Sequence, residues 1–176
     1  MSVQGVELRV VPSGEPNGVD DAFRRYAPYV AGVAMRLLGR DHEVEDVVQE
    51  TFLAAFTRME QLREPDAIRG WLATIAVRIA CRRLRARRVR AFFGLDTLGE
   101  VDSLVAPGAS PEDRVLLRSV YARLDALPVR LRVPWILRHV DGEPLEVVAR
   151  LCDCSLATTK RRIAAAHATL QEGEDG

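Results

Sequence analysis

Apolar residues recur at intervals of three and four along most of this chain, the spacing that places side chains on one face of an α-helix. From Asp20 to Leu38 the stripe is Phe23, Ala27, Val30, Ala34 and Leu37, and Gly39 stands where such a helix would end. Pro28 is expected to bend its early turns, because proline removes a backbone donor and crowds the preceding turn. A second helix is predicted over His42–Met59 behind Asp41 as its cap, with Val44, Val47, Val48, Thr51, Phe52 and Ala55 turned inward. A third begins near Pro65 or Asp66, buries Ile68, Leu72, Ile75 and Ile79, and fades into a run of arginines. Three helices patterned this way can close one small core.

The periodicity disappears from 91 to 109, where Gly94, Gly99, Pro107 and Gly108 fall among Asp96, Glu100 and Asp102, a composition that reads as a linker. Order resumes at Ser110-Pro111-Glu112-Asp113, with a cap residue, proline at the first helical position and an acid three places after the cap. This helix should reach Leu127. Another is predicted from Pro128 to Val140, bent or interrupted at Pro134, and Asp141-Gly142 makes a turn. The last two, Pro144–Leu151 and Ser155–Leu170, are separated only by Cys152-Asp153-Cys154, the layout of a helix-turn-helix. The expected fold class is therefore all-α: two small helical domains, 20–90 and 110–171, joined by a flexible linker, with tails at 1–19 and 172–176 and the helix-turn-helix in the second domain.

Composition agrees with helices. Hydrophobic residues make up 48% of 176 positions and aromatic residues only 6%, which favours an Ala- and Leu-rich helical core over strands. Three cysteines, Cys81, Cys152 and Cys154, are too few and too oddly numbered for a disulfide framework, and no apolar stretch approaches the length of a bilayer span. Together with the absence of a basic-then-apolar leader in Met1 to Gly18, these features point to a soluble, cytoplasmic protein with no direct membrane insertion.

The formal net charge is zero, but the charges are segregated. Asp41, Glu43, Glu45, Asp46 and Glu50 crowd one segment, whereas Arg69, Arg78, Arg82, Arg83, Arg85, Arg87, Arg88 and Arg90 occur in a stretch without an acid. These are surfaces for different partners or for each other. On the third helix, Trp71, Thr74, Arg78, Arg82 and Arg85 lie beside the apolar stripe. Guanidinium groups hold phosphates and an indole can stack an unpaired base, so this face suits single-stranded or melted DNA; alternatively Trp71 covers the core and the arginines are solvated. On the second helix, Asp46, Gln49, Glu50 and Leu53 share a mixed outer face that suits a protein contact, or that simply complements the helix dipole. In the last helix Ser155 is the cap, and Thr158, Thr159, Lys160, Arg161 and Arg162 occupy the early positions from which a recognition helix reaches bases and phosphates. Asp153 can take the left-handed backbone of the turn, and Ala149 permits close helix approach.

Three blocks in order carry a family resemblance: His42-Glu43-Val44-Glu45-Asp46-Val47-Val48-Gln49-Glu50-Thr51-Phe52, then Arg69-Gly70-Trp71-Leu72-Ala73-Thr74-Ile75-Ala76, then the helix-turn-helix that opens after Ala126-Leu127-Pro128. In these the chain resembles the extracytoplasmic-function branch of bacterial sigma-70-type RNA polymerase sigma factors. The resemblance implies that Asp46, Gln49, Glu50 and Leu53 dock on the clamp helices of the polymerase's largest subunit. It implies that Trp71, Thr74, Arg78, Arg82, Arg83, Arg85, Arg87 and Arg88 engage the minus-ten element. By the same resemblance Ser155, Thr158, Thr159, Lys160, Arg161 and Arg162 serve the minus-thirty-five element, and the linker threads a polymerase channel. The chain departs from the family pattern where DNA would be touched: Arg78 and Arg82 replace a frequent asparagine and aspartate, Ala164, Ala165 and His167 replace aromatic, histidine or basic residues, and Asp153 replaces a turn glycine. Fewer cations in the last helix imply weaker phosphate contacts there.

The function expected is that of a sigma factor that binds bacterial core RNA polymerase, directs it to promoter DNA, and is regulated by an anti-sigma protein. Two alternatives stay open, a helix-turn-helix regulator that works without polymerase and a sigma mimic that occupies an anti-sigma protein. No phosphate-cradling glycine loop, metal pair or nucleophile with a base is present, so no enzyme, cofactor, metal site or small-molecule substrate is expected. The cysteines read as small core residues.

Overall fold

A computed structural model describes residues 19–39, 42–57, 67–95 and 110–172. Seven helices account for nearly all of them: α1 (Val19–Leu38), α2 (Val44–Phe56), α3 (Ile68–Phe92), α4 (Pro111–Ala126), α5 (Val129–His139), α6 (Leu145–Leu151) and α7 (Leu156–Glu172). No strand occurs among the described residues, as expected of an all-α chain, and no helix among them is long and apolar enough to cross a membrane.

Helices α1, α2 and α3 pack on one another, and α5, α6 and α7 do the same. In the first group Val30, Val33, Ala34, Leu37 and Leu38 of α1 meet Val44, Val47, Val48, Phe52 and Ala55 of α2 and Leu72, Ala73, Ala76, Val77, Ile79, Ala80 and Leu84 of α3. The inner face of α2 is the one the periodicity predicts, Thr51 included. On α3 the buried face is broader than the isoleucine stripe: Leu72 and Ile79 are buried, but Ile68 and Ile75 are half-buried, because small Ala73, Ala76 and Ala80 let the neighbouring helices come close. Phe23 of α1 is largely exposed and reaches the core only through an edge-on contact with Phe52, ring centres 4.8 Å apart.

The element ends follow local chemistry. Ser110 accepts from the Asp113 backbone amide and Asp113 reaches back to the Ser110 amide, a complete capping box with Pro111 behind it. Helix α3 runs two residues into the segment predicted as linker, since Arg, Ala and Val there propagate a helix until Gly94 takes a positive φ. The expected Asp41 cap and the Pro65 or Asp66 start lie outside the described residues; α2 is entered through Glu43, which makes no side-chain cap bond. Pro134 sits inside α5, buried, without ending it.

The two groups of helices are not separate bodies. Tyr121, Leu124, Leu127, Val133, Ile136, Leu137, Val148, Leu151 and Ala166 belong to the same continuous cluster of buried residues as the cores of α1, α2 and α3. The join is made at the carboxy-terminal end of α1, where the last carbonyls of a helix lack intrahelical donors. Arg132 of α5, only 2% exposed, donates to the Leu37 carbonyl at 2.9 Å and to that of Leu38 at 3.4 Å. Arg87 of α3 donates to the Leu38 carbonyl at 2.9 Å, and the Tyr121 hydroxyl to that of Arg36 at 2.9 Å. Arg132 also pairs with Asp125, Arg36 pairs with Asp141, and Arg88 donates to the Leu127 carbonyl at 2.9 Å. Burial pushes the Tyr121 phenol up to about 12, so it stays a donor at any physiological pH.

Gly39 makes this join possible. Its φ of 68° turns the chain out of α1, and a Cβ there would clash with the edge of the Tyr121 ring, 2.4 Å from Cδ1 and 2.7 Å from Cε1. Gly39→Ala is therefore expected to cost about 1–2 kcal/mol for the left-handed backbone and a further ~1–3 kcal/mol for overpacking. Urea denaturation followed by circular dichroism measures it, and a loss below about 1 kcal/mol would show that the ring moves aside freely.

Candidate functional site

Helix α2 divides cleanly. Its inner residues are buried, while Glu45, Asp46, Gln49 and Leu53 face outward and Glu50 lies at the edge. Leu53 is 61% exposed, a large apolar side chain in a ring of carboxylates and an amide. The four residues singled out for polymerase docking thus do share one accessible face.

The arginine run is not on the far side of the molecule from these acids. Helix α3 lies against α2, and Arg82 pairs with Glu50 while Arg83 reaches Asp46 and Glu50, each at 3.3 Å. The charges that the sequence segregates by position are brought together in space, so Arg82 and Arg83 border the acidic face rather than a separate basic one. Arg87 departs further from expectation: instead of an exposed phosphate ligand it is a structural residue, 5% exposed, held by Glu43 at 2.9 Å as well as by Leu38. Its place in the stripe of Ala80 and Leu84 is the sequence signal for that, one that the surrounding arginines masked. Arg132 carries the same signal, three residues after Val129 and four before Ile136 on the apolar face of α5.

The remaining α3 residues form a wall that faces the carboxy-terminal half. Trp71 and Thr74 line a cleft of about 560 Å³ together with Tyr29, Arg69, Glu143, Val147, Arg150 and Leu151. Trp71 is half-buried, so part of its ring packs on the core and part faces the cleft. The Arg69 guanidinium lies over the Tyr29 ring, 4.3 Å from its centre. Thr74 returns its hydroxyl to the Gly70 carbonyl at 2.9 Å. Arg78 is 3.8 Å from Asp153, Arg85 lines a second cleft, and Arg88 is exposed apart from its bond to Leu127.

Helices α6 and α7 are joined by the turn 152–155, in which Asp153 holds a φ of 51°. Ser155 accepts from the Thr158 amide at 3.2 Å, the cap expected of it. Lys160 and Arg161 are exposed, and Thr158 and Arg162 are half-exposed. Thr159 corrects the sequence reading: it is wholly buried, its hydroxyl donating to the Ser155 carbonyl at 3.1 Å and lying 3.3 Å from the Cys154 sulfur. A residue one turn beyond the cap points inward because the helix must seat its first turn on α6. His167 stacks on His139 across the α5–α7 contact, ring centres 6.0 Å apart, and burial with neighbouring His167 and Arg138 holds the His139 imidazole below its usual range.

Burial pushes the Cys81 thiol up and Cys152 up to about 12, which keeps both protonated and poorly nucleophilic. Among the described residues no group of three or more metal-ligating side chains comes together.

Comparison with known proteins adds the following. The pattern that defines Sigma-70 region 2 matches residues 22–90. The ECF RNA polymerase sigma factor SigE of Mycolicibacterium smegmatis is 31% identical over 175 residues, covering 88% of this chain and 66% of that protein. The ECF RNA polymerase sigma-E factor of Haemophilus influenzae is 31% identical, covering 87% of this chain and 85% of the relative, and SigW of Bacillus subtilis is 25% identical with 89% and 88% covered. Similar folds occur in the co-crystal of the sigma factor RpoE with the anti-sigma factor NepR from Bartonella quintana, at TM-score 0.63 and 24% identity over 87% of this chain and 94% of that one. The structure of CnrH with the cytosolic domain of CnrY gives TM-score 0.62 at 22% identity, covering 92% and 90%.

The different burial of neighbouring arginines predicts different costs of removal. Arg87→Ala takes the guanidinium away from largely buried Glu43 and leaves the Leu38 carbonyl with the longer Arg132 bond, and is expected to lose about 3–5 kcal/mol, whereas exposed Arg82→Ala should lose under about 1 kcal/mol. Thermal and urea unfolding of the two variants compare them directly; equal losses would contradict the interior placement of Arg87.

Proposed function

This chain belongs to the ECF family of RNA polymerase sigma factors, and from that premise we propose that it binds bacterial core RNA polymerase and directs it to promoter DNA to begin transcription. The observation that best supports the reading is the outward face of α2. An exposed leucine flanked by Asp46, Gln49 and Glu50 suits a partner helix that covers Leu53 and answers the carboxylates with cations. Because Arg82 and Arg83 hold Glu50 and Asp46 in place, they belong with this docking face as positioning residues.

Trp71, Thr74, Arg78, Arg85 and Arg88 are the residues we assign to the minus-ten side, where an indole and guanidinium groups suit unstacked bases and phosphates. On the minus-thirty-five side we assign Thr158, Lys160, Arg161 and Arg162, with Ser155 as the cap that orients the helix start. The domain division, 20–90 and 110–171, follows the same assignment. An anti-sigma protein is the regulatory partner we expect; the structural neighbour RpoE is described in complex with the anti-sigma factor NepR. We assign the protein no catalytic step of its own and place it in the cytoplasm, where polymerase works.

Mixing the purified protein with core polymerase, followed by size-exclusion chromatography and run-off transcription from a promoter library, tests the reading. A complex with transcripts supports it, and the absence of any complex refutes it. The double substitution Asp46→Lys/Glu50→Lys is expected to weaken the complex at least tenfold while the circular dichroism spectrum is unchanged; unaltered affinity would remove α2 from the docking surface. Trp71→Ala is expected to reduce promoter opening, read by permanganate reactivity of unpaired thymines, more than it reduces complex formation with polymerase. Equal reduction of both would assign Trp71 to the core.

A further inference from the structure

Four arginines from three helices converge on one cleft at the seam between the two halves. Arg78 and Arg85 come from α3, Arg130 from α5 and Arg162 from α7, and they line a space of about 390 Å³ whose floor is Val77, Cys81, Val133, Pro134, Leu151 and Cys152. That volume is within the range of small-ligand sites. The one acidic residue on its lining is Asp153, 3.8 Å from Arg78, with its side chain mostly in solvent. No carboxylate pairs with Arg85, Arg130 or Arg162 among the described residues, whereas Arg36, Arg82, Arg83, Arg87 and Arg132 each have one. The cleft therefore gathers four positive charges against one negative charge over an apolar floor.

Like charges held this close repel one another unless an anion sits between them. Guanidinium groups arriving from several directions match a ligand with several linked phosphates, each able to take paired N–H donors. We propose that this cleft is a binding site for an oligophosphate, a chain of two or more linked phosphate groups, either inorganic or carried by a nucleotide. Occupied, it ties α3 to α5 and α7 and so strengthens the junction between the halves. Resting on the function proposed above, it has a second consequence: Arg78, Arg85 and Arg162 are among the DNA-binding residues, so the oligophosphate competes with promoter phosphates for the same guanidinium groups.

The test uses the full chain, with inorganic tripolyphosphate and GTP as probes and orthophosphate as the single-phosphate comparison. Isothermal titration should show tripolyphosphate binding to one site, at least tenfold tighter than orthophosphate and weakening as NaCl is raised. A hundredfold excess over Kd should raise Tm by roughly 5–10 °C. Arg130→Ala, a change in an exposed side chain with no part in the polymerase or DNA assignments, should weaken tripolyphosphate at least tenfold, and Arg24→Ala on exposed α1 should leave it unchanged. GTP tighter than tripolyphosphate identifies a nucleotide site, and tripolyphosphate tighter than GTP an inorganic one; either outcome upholds the cleft. Equal weakening by Arg130→Ala and Arg24→Ala, or no binding of either probe at 50 mM salt, overturns it. Displacement of a fluorescein-labelled dT12 strand by tripolyphosphate reads the competition separately. A polymerase complex that forms normally while no oligophosphate binds refutes this proposal alone; oligophosphate binding without a polymerase complex refutes the sigma-factor reading and leaves the site standing.

Discussion

The carboxy-terminal carbonyls of α1 are the point on which this structure turns. A helix that ends in the interior leaves acceptors that must find donors, and three different helices supply them here: Arg87 from α3, Tyr121 from α4 and Arg132 from α5. Buried guanidinium groups are costly unless paired, and the terminal nitrogens of each are engaged, Arg87 with Glu43 and Leu38, Arg132 with Asp125 and the α1 end, while the Nε of each is left without an acceptor. Gly39 clears the space in which the Tyr121 ring lies.

The join of the two halves decides which surfaces are available. The outer face of α2 is left open, with Leu53 and its acidic neighbours in solvent. The residues assigned to DNA on α3 instead look across two clefts at α6 and α7, through Trp71 and Val147 in one and Arg85 and Arg162 in the other. A chain with no net charge can therefore present both an acidic face with arginine borders and a strongly cationic seam. Electrostatic segregation is a property of the folded surface, and the total hides it.

Much of the fold was legible before the structure. The inner face of α2, the Ser110 capping box, the left-handed Asp153 and the Ser155 cap each depend on residues within four positions of one another. Local physics of that range is written directly into spacing and residue type. The site was legible in part: Asp46, Gln49 and Leu53, or Lys160 and Arg161, are surface residues because they share faces turned away from the buried positions of their helices. Arg87 and Thr159 were misplaced for one shared reason. Composition marked both as members of polar runs, whereas their burial follows from their angular position against a neighbouring helix that the run does not reveal.

What the sequence alone determined, then, is the set of helices, their caps and their apolar faces, together with the family blocks that identify the chain. It also carried a clue in arginines standing at core positions of α3 and α5. Only the tertiary structure decided what those arginines were for, because their acceptors on α1 lie 49 and 94 or 95 residues away along the chain. The same holds for the pairing of Arg82 and Arg83 with α2 and for the meeting of Arg78, Arg85, Arg130 and Arg162. Contacts over such separations depend on how helices cross, and the crossing is set by packing of the whole core, which no local pattern encodes.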